Sequence, residues 1–525
     1  MPRTPKQRLP QRTEAGNASI SGTVILPGGS LGITIKASAR ALFERIGPTV
    51  TLFIRGGAVM SIAENNGVLK LEVLGPIAAR SRFESYTEFV AWRSGRDGKP
   101  VLKPTIIPQE IAAAFLESEE ARTFLPKITG LINCPVIVST DGRAQIVRQG
   151  YHPSTGLFIT GGQMPLQVEL SKAVESLREI VNEFDFQSPG DRSRAMASFL
   201  TPALKLGGHL RGSVPADVAE ADQSQSGKTY RQRLVAAVYN ETPSLVTCRN
   251  GGVGSVDESL NAQLIAGRPF IQLDNFRGKF NSPHIEALLT AERSFPVRVP
   301  HCREVVIDPS RFFVMMTSNG VETTRDFANR SSIIRIRKRE GYAFKKYSEG
   351  DLLEHVRSKQ SDYLGCVFAI IREWISNGRP RSGETRHDFR EWAQMLDWVV
   401  QNILGEAPLL DGHQAAQVRV SNPELTFLRK LALAVADQDR LGEPLIASTI
   451  YEIAECTEVD IPGLRAPDED KGKRVIGAIM ARLFKAGNSL TLDEFIVTRG
   501  ETEIKRVDGG GTYPGNTYQF QKFGS

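Results

Sequence analysis

Through the middle of the chain the apolar residues gather in short runs that each end in polar ones. Residues 268–275 read Arg-Pro-Phe-Ile-Gln-Leu-Asp-Asn. The run is too short for a helix and closes on an acid, which predicts a buried parallel strand ending at Asp274. Residues 244–248, 311–319 and 332–337 have the same form, and 311–319 closes on Ser318 and Asn319. Segments of helical period separate these runs at 230–239 and 256–265. Buried strands alternating with helices predict an α/β core on a parallel sheet.

Before that core the pattern is mixed. Residues 51–62 and 135–147 alternate around Gly56-Gly57 and Asp141-Gly142, the signature of hairpins, while 86–92 and 109–116 have helical spacing. Amphipathic helices are expected at 170–181 and from 192 to 206. After the core, 351–374 and 389–404 are helical, with aromatic residues that read as packing. Three helices follow near 425–433, 446–455 and 471–485, then strands at 490–497 and 516–520 on either side of Gly509-Gly510-Gly511. Three helices and a two-stranded wing predict a winged helix. The expected organisation is a disordered basic tail (1–18), a mixed α+β N-terminal domain (19–165), a helical linker (166–190), the α/β core (191–346), a helical lid (347–415) and a winged-helix domain (416–525).

Composition removes some classes of function. An apolar content of 41% and a charged content of 24% describe a soluble globular protein. No apolar run approaches the roughly 18 residues of a membrane span. The first ten residues are basic and broken by proline, without the apolar centre of a signal peptide. Five cysteines lie far apart with no Cys-x-x-Cys pair, so reduced thiols in a cytoplasmic protein are expected; the seven histidines show no zinc spacing. The net charge of +6 permits a nucleic-acid partner without demonstrating one. The N-terminal acids are scattered and offer no polymerase or primase centre.

The candidate chemistry begins at 221–229, Ala-Asp-Gln-Ser-Gln-Ser-Gly-Lys-Thr, immediately before a helix. This is the form of a phosphate-binding P-loop. Backbone N–H groups of Gln223, Ser224, Gln225, Ser226 and Gly227 would curl around phosphates, Lys228 would reach the terminal ones, and the Thr229 hydroxyl would ligate Mg²⁺. The helix that follows aims its positive end at the same anion. The usual pattern opens with Gly, and here that position is Asp222. Asp274 stands where a nucleotide fold holds its metal. Gly251, Gly252 and Gly254 lack a following Lys-Thr and read as a turn. For DNA, the third C-terminal helix carries Lys471, Lys473 and Arg474, the wing carries Lys505 and Arg506, and Arg293 and Arg298 lie in a loop after the Asp274 strand.

Several stretches resemble the primase-helicase-like replication ATPases of phages and integrative elements, within the superfamily-three and AAA+ P-loop ATPases. They are Pro135 to Phe158, closing on Tyr151-His-Pro-Ser-Thr-Gly-Leu-Phe158; Leu273-Asp274-Asn275, Leu289-Thr290-Ala291, Arg298, Asn319 and Asp326 to Arg330; and Gly378-Arg379-Pro380 with Phe389, Trp392, Ile403 and Leu404. The resemblance covers roughly the last two-thirds of the chain and implies a homo-oligomer, expected as a hexameric ring, that hydrolyses ATP with Mg²⁺ and acts on single- and double-stranded DNA, with no membrane. It implies that Lys228 and Thr229 hold the phosphates and metal, Asp274 positions the metal, Asn319 orients the attacking water, and Arg330 reaches a neighbour's site. Departures accompany it. Asn329 replaces the first of a pair of arginines, the strand ends Ser318-Asn319-Gly320 rather than Gly-Asn-Asn, and Asn275 cannot accept a proton. Glu258 is the substitute candidate for the base, against the plain reading of an acid that complements a helix terminus. The alternative function is a DNA-binding replication initiator or regulator that uses ATP as an assembly switch, which Asp222 and Asn275 favour.

Overall fold

The computed structural model describes residues 19–523 apart from 21, 29–31, 141, 222–224, 247–254, 277–278, 299–303, 320–321, 340, 465–467, 493 and 506–511. The hairpin expected around Gly56 and Gly57 forms as strands β1 (Leu52–Arg55) and β2 (Ala58–Asn65), which β3 (Val68–Val73) extends into an antiparallel sheet. Alternation along β1 divides its side chains between two cores. Leu52 and Ile54 pack with Leu42 and Phe43 of the helix Ile35–Ile46. Phe53 joins Met60 and Leu71 in a second core that also contains the central sheet. The helical spacing at 86–92 does not produce a helix. Glu88–Ser94 is a strand, antiparallel to Pro100–Pro104 and parallel to Thr23–Ile25. A short apolar run fits either period locally, and the partner strands decide between them.

Helix α1 (Pro189–Leu206), capped by Ser188 Oγ accepting from Asp191 N at 3.1 Å, leads toward strand β4 (Ala216–Ala221). The chain then runs through α2 (Lys228–Val238), β5 (Ser244–Leu245), α3 (Val256–Ala266), β6 (Phe270–Phe276), a hairpin of β7 (Phe295–Val297) and β8 (Val305–Ile307), β9 (Phe313–Asn319), α4 (Arg325–Asn329) and β10 (Ser331–Arg337). Five strands lie parallel in the order β10–β4–β9–β6–β5, and Asp185–Phe186 adds an antiparallel edge. Parallel pairing demands crossovers, and α2 and α3 supply two of them. It also gathers the carboxyl ends of β4, β6 and β9 at one edge, where Ala221 pairs with Asn319 and Phe276 with Ser318. At the opposite edge Ala216 pairs with Ser331.

Helices Leu170–Asn182, α1, Leu352–Ser358, α5 (Gln360–Ser376) and α6 (Arg390–Asn402) share one core with the sheet, through residues such as Leu177, Phe199, Val367 and Trp392. The stretch 351–374 is therefore two helices, meeting at Lys359. Ala416 and Val420 of α7 (His413–Ser421) belong to the second core. Helix α8 (Pro423–Asp437) follows directly and, with α9 (Ala447–Cys456) and α10 (Glu469–Leu483), encloses a separate core of Phe427, Ile450, Ile476 and Phe520. Strands β11 (Ser489–Leu492), β12 (Phe495–Lys505) and β13 (Thr512–Lys522) complete it. The single strand expected at 490–497 is a tight hairpin, Leu490 pairing with Val497, because β12 needs Phe495 onward to pair with β13. Among the described residues no helix is long and apolar enough to cross a membrane.

Candidate functional site

The carboxyl edge of the sheet brings four of the singled-out residues together. Beyond Ala221, Gln225 and Gly227 take φ of 63° and 88°, with Ser226 between them in the ordinary range. Such alternation turns successive N–H groups toward one side and makes an anion-binding concavity. Gly227 is also a close approach. A Cβ there would stand 3.0 Å from Phe184 Cε1 and 3.1 Å from Phe344 Cζ. Gln223 and Ser224 lie outside the described residues.

Lys228 opens α2 and is buried. Its Nζ donates to Asn319 Oδ1 at 2.5 Å and to Ser226 Oγ at 3.2 Å. Burial lowers its pKa, while the charges of Glu220 and then Asp274 oppose that shift. Thr229 Oγ1 donates to Asp274 Oδ1 at 2.6 Å. Thr317 Oγ1, from β9, donates to the same oxygen at 2.6 Å and accepts from Asn275 N at 2.7 Å. The β6–β9 register shifts between Leu273 and Phe276, and Asn275 has φ of 51°. A bulge of this kind interrupts the ladder, and here the interruption falls at Asp274 and Asn275. A hydroxyl and a carboxylate in direct contact fit a hard divalent cation such as Mg²⁺, which takes one or two protein oxygens and completes its shell with phosphates and water.

Other candidates stand apart. Arg330 follows α4 at the amino edge of β10. Its backbone carbonyl accepts from Ala216 N at 3.0 Å, its Nη1 donates to Glu286 O at 3.3 Å, and its Nη2 lies 3.8 Å from the Asp326 carboxylate. The six residues of β4 separate it from the 222–227 loop, about 20 Å at the rise of a strand. Glu258 is half-buried in the first turn of α3, where its N–H donates to the capping Ser255 Oγ at 3.3 Å. That Ser-x-x-Glu arrangement is the sequence form of a capping box.

Arg293 is exposed just before the β7–β8 hairpin and Arg298 is exposed just after β7, toward a tip that lies outside the described residues. On α10, Lys471 and Arg474 are exposed, whereas Lys473 is bonded to Glu469 one turn earlier. Lys505 ends β12 with its side chain outside the described set, as is all of Arg506. Nothing in the sequence marked Thr317, which is one polar residue inside an apolar strand. Nor did it point to Glu220, which is wholly buried on β4 and bonded to Arg419 Nη1 at 2.7 Å.

No protein-family model and no curated protein matches the chain. Among solved structures it is similar to the C-terminal region of NrS-1 in its A-form apo state, at 11% identity over 85% of this chain and 99% of that one, with a TM-score of 0.31. A shorter form of that region, residues 305–718, is 10% identical over 79% and 97% of the two chains, with a TM-score of 0.31. A third similar structure, SCCmec type IV Cch, is described as an active helicase. It is 12% identical over 84% and 81% of the chains, with a TM-score of 0.28.

Proposed function

We propose that this protein is a P-loop ATPase that hydrolyses ATP at subunit interfaces of a ring and works on DNA as a helicase or translocase in the replication of a phage or mobile element. In this reading residues 191–346 form an AAA+-like core, 347–415 a helical lid and 416–525 a winged helix. The observation that carries it is the joined pair of contacts Lys228–Asn319 and Thr229–Asp274 at the carboxyl edge of a parallel sheet. In an open α/β sheet that edge is where ligands bind.

Lys228 and the N–H groups of 223–227 would take the β- and γ-phosphates, with Lys228 Nζ exchanging Asn319 for phosphate oxygen. Thr229 and Asp274 would hold Mg²⁺, which when bound neutralises charge developing on the transferred phosphoryl group. Asn319, once released, orients the attacking water, and its amide neither takes nor gives a proton. Glu258 remains the candidate for that proton. Arg330 is too far from its own chain's Lys228 to serve it, which supports a role in the neighbouring subunit's site. DNA contact would fall to Arg293 and Arg298 from the ring, and to Lys471, Lys473, Arg474, Lys505 and Arg506 from the C-terminal unit.

The switch reading keeps one specific support, Asn275 in the place next to the metal-binding acid, with its N–H spent on Thr317. ATP turnover measured with and without single-stranded DNA separates the two. A motor turns over faster with DNA; a switch binds ATP, tightens on duplex and shows no stimulation. Lys228→Ala is expected to reduce turnover by at least about a hundredfold in a folded protein. Wild-type turnover in that variant removes the assignment.

A further inference from the structure

Arg55 ends β1 and is buried, 3% exposed, against the carboxyl end of α3. Its Nη1 donates to the carbonyls of Leu264 and Ile265, each at 2.9 Å. The Gly267 carbonyl just beyond accepts from Leu131 N, also at 2.9 Å. A helix leaves its last carbonyls without partners of its own, and here the N-terminal part of the chain takes them. Among the described residues Arg55 Nε and Nη2 are buried without a hydrogen-bond partner, and the Phe312 ring centre lies 5.7 Å from the guanidinium. Burial draws the Arg55 pKa down to about 10, with only the charge of Asp308 opposing. A buried cation whose direct partners are carbonyls at the negative end of a helix is costly to keep and specific in where it can sit.

A second contact lies one residue on. A Cβ at Gly56 would stand 2.0 Å from the Val306 carbonyl oxygen, so the β1–β2 turn presses on the β7–β8 hairpin. Helix α3 also holds that hairpin, through Asn261 Nδ2 donating to Arg298 O at 3.0 Å. The far end of α3 carries Glu258, and the strand that follows α3 carries Asp274.

We propose that Arg55 is a positioning residue for the nucleotide site: by capping α3 it lets the N-terminal unit set the rate of ATP turnover without setting ATP affinity. The inference rests on the ATPase reading above. It gives the N-terminal unit a task that requires no active centre of its own. The coupling runs along eleven residues of helix, about 16 Å, from Arg55 to the first turn of α3.

The test uses the full chain with Arg55→Met and Arg55→Lys. Turnover is followed against ATP concentration, and hydrogen exchange is followed along 256–266. Arg55→Met is expected to lower kcat about tenfold with KM within about twofold, and Arg55→Lys to recover most of the loss. Exchange should quicken at 256–260, the end remote from the substitution. Unchanged kcat, a parallel change of kcat and KM, or exchange altered only at 264–266 would each overturn the proposal. Should Arg55→Met not fold, Gly56→Ala is expected to give the same exchange pattern by pressing on Val306. If the wild type shows no turnover and Lys228→Ala binds ATP as the wild type does, the ATPase reading fails, and exchange at 256–260 still decides whether α3 carries the coupling.

Discussion

Glu220 lies wholly buried on the strand that runs into the phosphate loop, and its charge is held by arginines from far along the chain. Arg419 Nη1 and Nη2 both bond its carboxylate, and Arg429 Nη1 stands 3.5 Å away. Burial alone would raise the Glu220 carboxyl. Arg419, then Arg429 and Arg335, outweigh burial and hold it at about 2, against an ordinary 4.5. Since the folded value is the lower one, this group contributes stability above pH 4.5 and loses it as the pH falls toward 2, at most ~3 kcal/mol. Urea unfolding across pH 2 to 7 should therefore show Glu220→Gln with a shallower acid limb than the wild type. The variant should also be less stable at neutral pH, because two buried guanidiniums lose their carboxylate. An acid limb of wild-type slope in Glu220→Gln would assign it to other carboxylates.

At the scale of elements, packing fixes Gly227, the residue that leads into α2. Gly227 combines a φ of 88° with two phenyl rings within about van der Waals distance of where a Cβ would sit. Gly227→Ala adds backbone strain and displaces Phe184 or Phe344. It is expected to weaken nucleotide binding by about tenfold or more with a loss of only ~1–2 kcal/mol in stability. Calorimetric titration with an ATP analogue, beside thermal unfolding, checks both. Helix α2 and the strands that carry Asp274 and Asn319 were legible, because a buried parallel strand and a helix of regular period are local patterns. What escaped was set by distant partners. Glu88–Ser94 became a strand because Thr23–Ile25 and Pro100–Pro104 lie beside it. Thr317 matters only because β6 bulges toward it. The partners Arg419 and Glu220 are 199 residues apart, and Arg55 is 209 from Leu264. No periodicity within one segment carries such information.

Over the whole molecule, the sheet places Lys228 and Arg330 at opposite edges, so one chain cannot supply both to one site. A head-to-tail interface would bring the Arg330 edge of one subunit against the Lys228 edge of the next, and repetition of such an interface closes a ring. The consequence is testable with two inactive proteins. Lys228→Ala chains keep a working arginine, and Arg330→Ala chains keep a working phosphate loop. In rings assembled at random from equal amounts, a site is intact when a Lys228→Ala subunit is followed by an Arg330→Ala subunit. This holds at about a quarter of interfaces, so turnover should recover to about a quarter of wild type if sites fire independently. Stronger cooperation between sites lowers that figure, and its dependence on mixing ratio should still peak at equal amounts. Assembly must be verified by size and by co-purification of differently tagged chains. Recovery requires that the two defects lie on different subunits of one site. Mixed rings with no recovery at any ratio would place Arg330 in a structural role, held by Glu286 and Asp326 within its own chain.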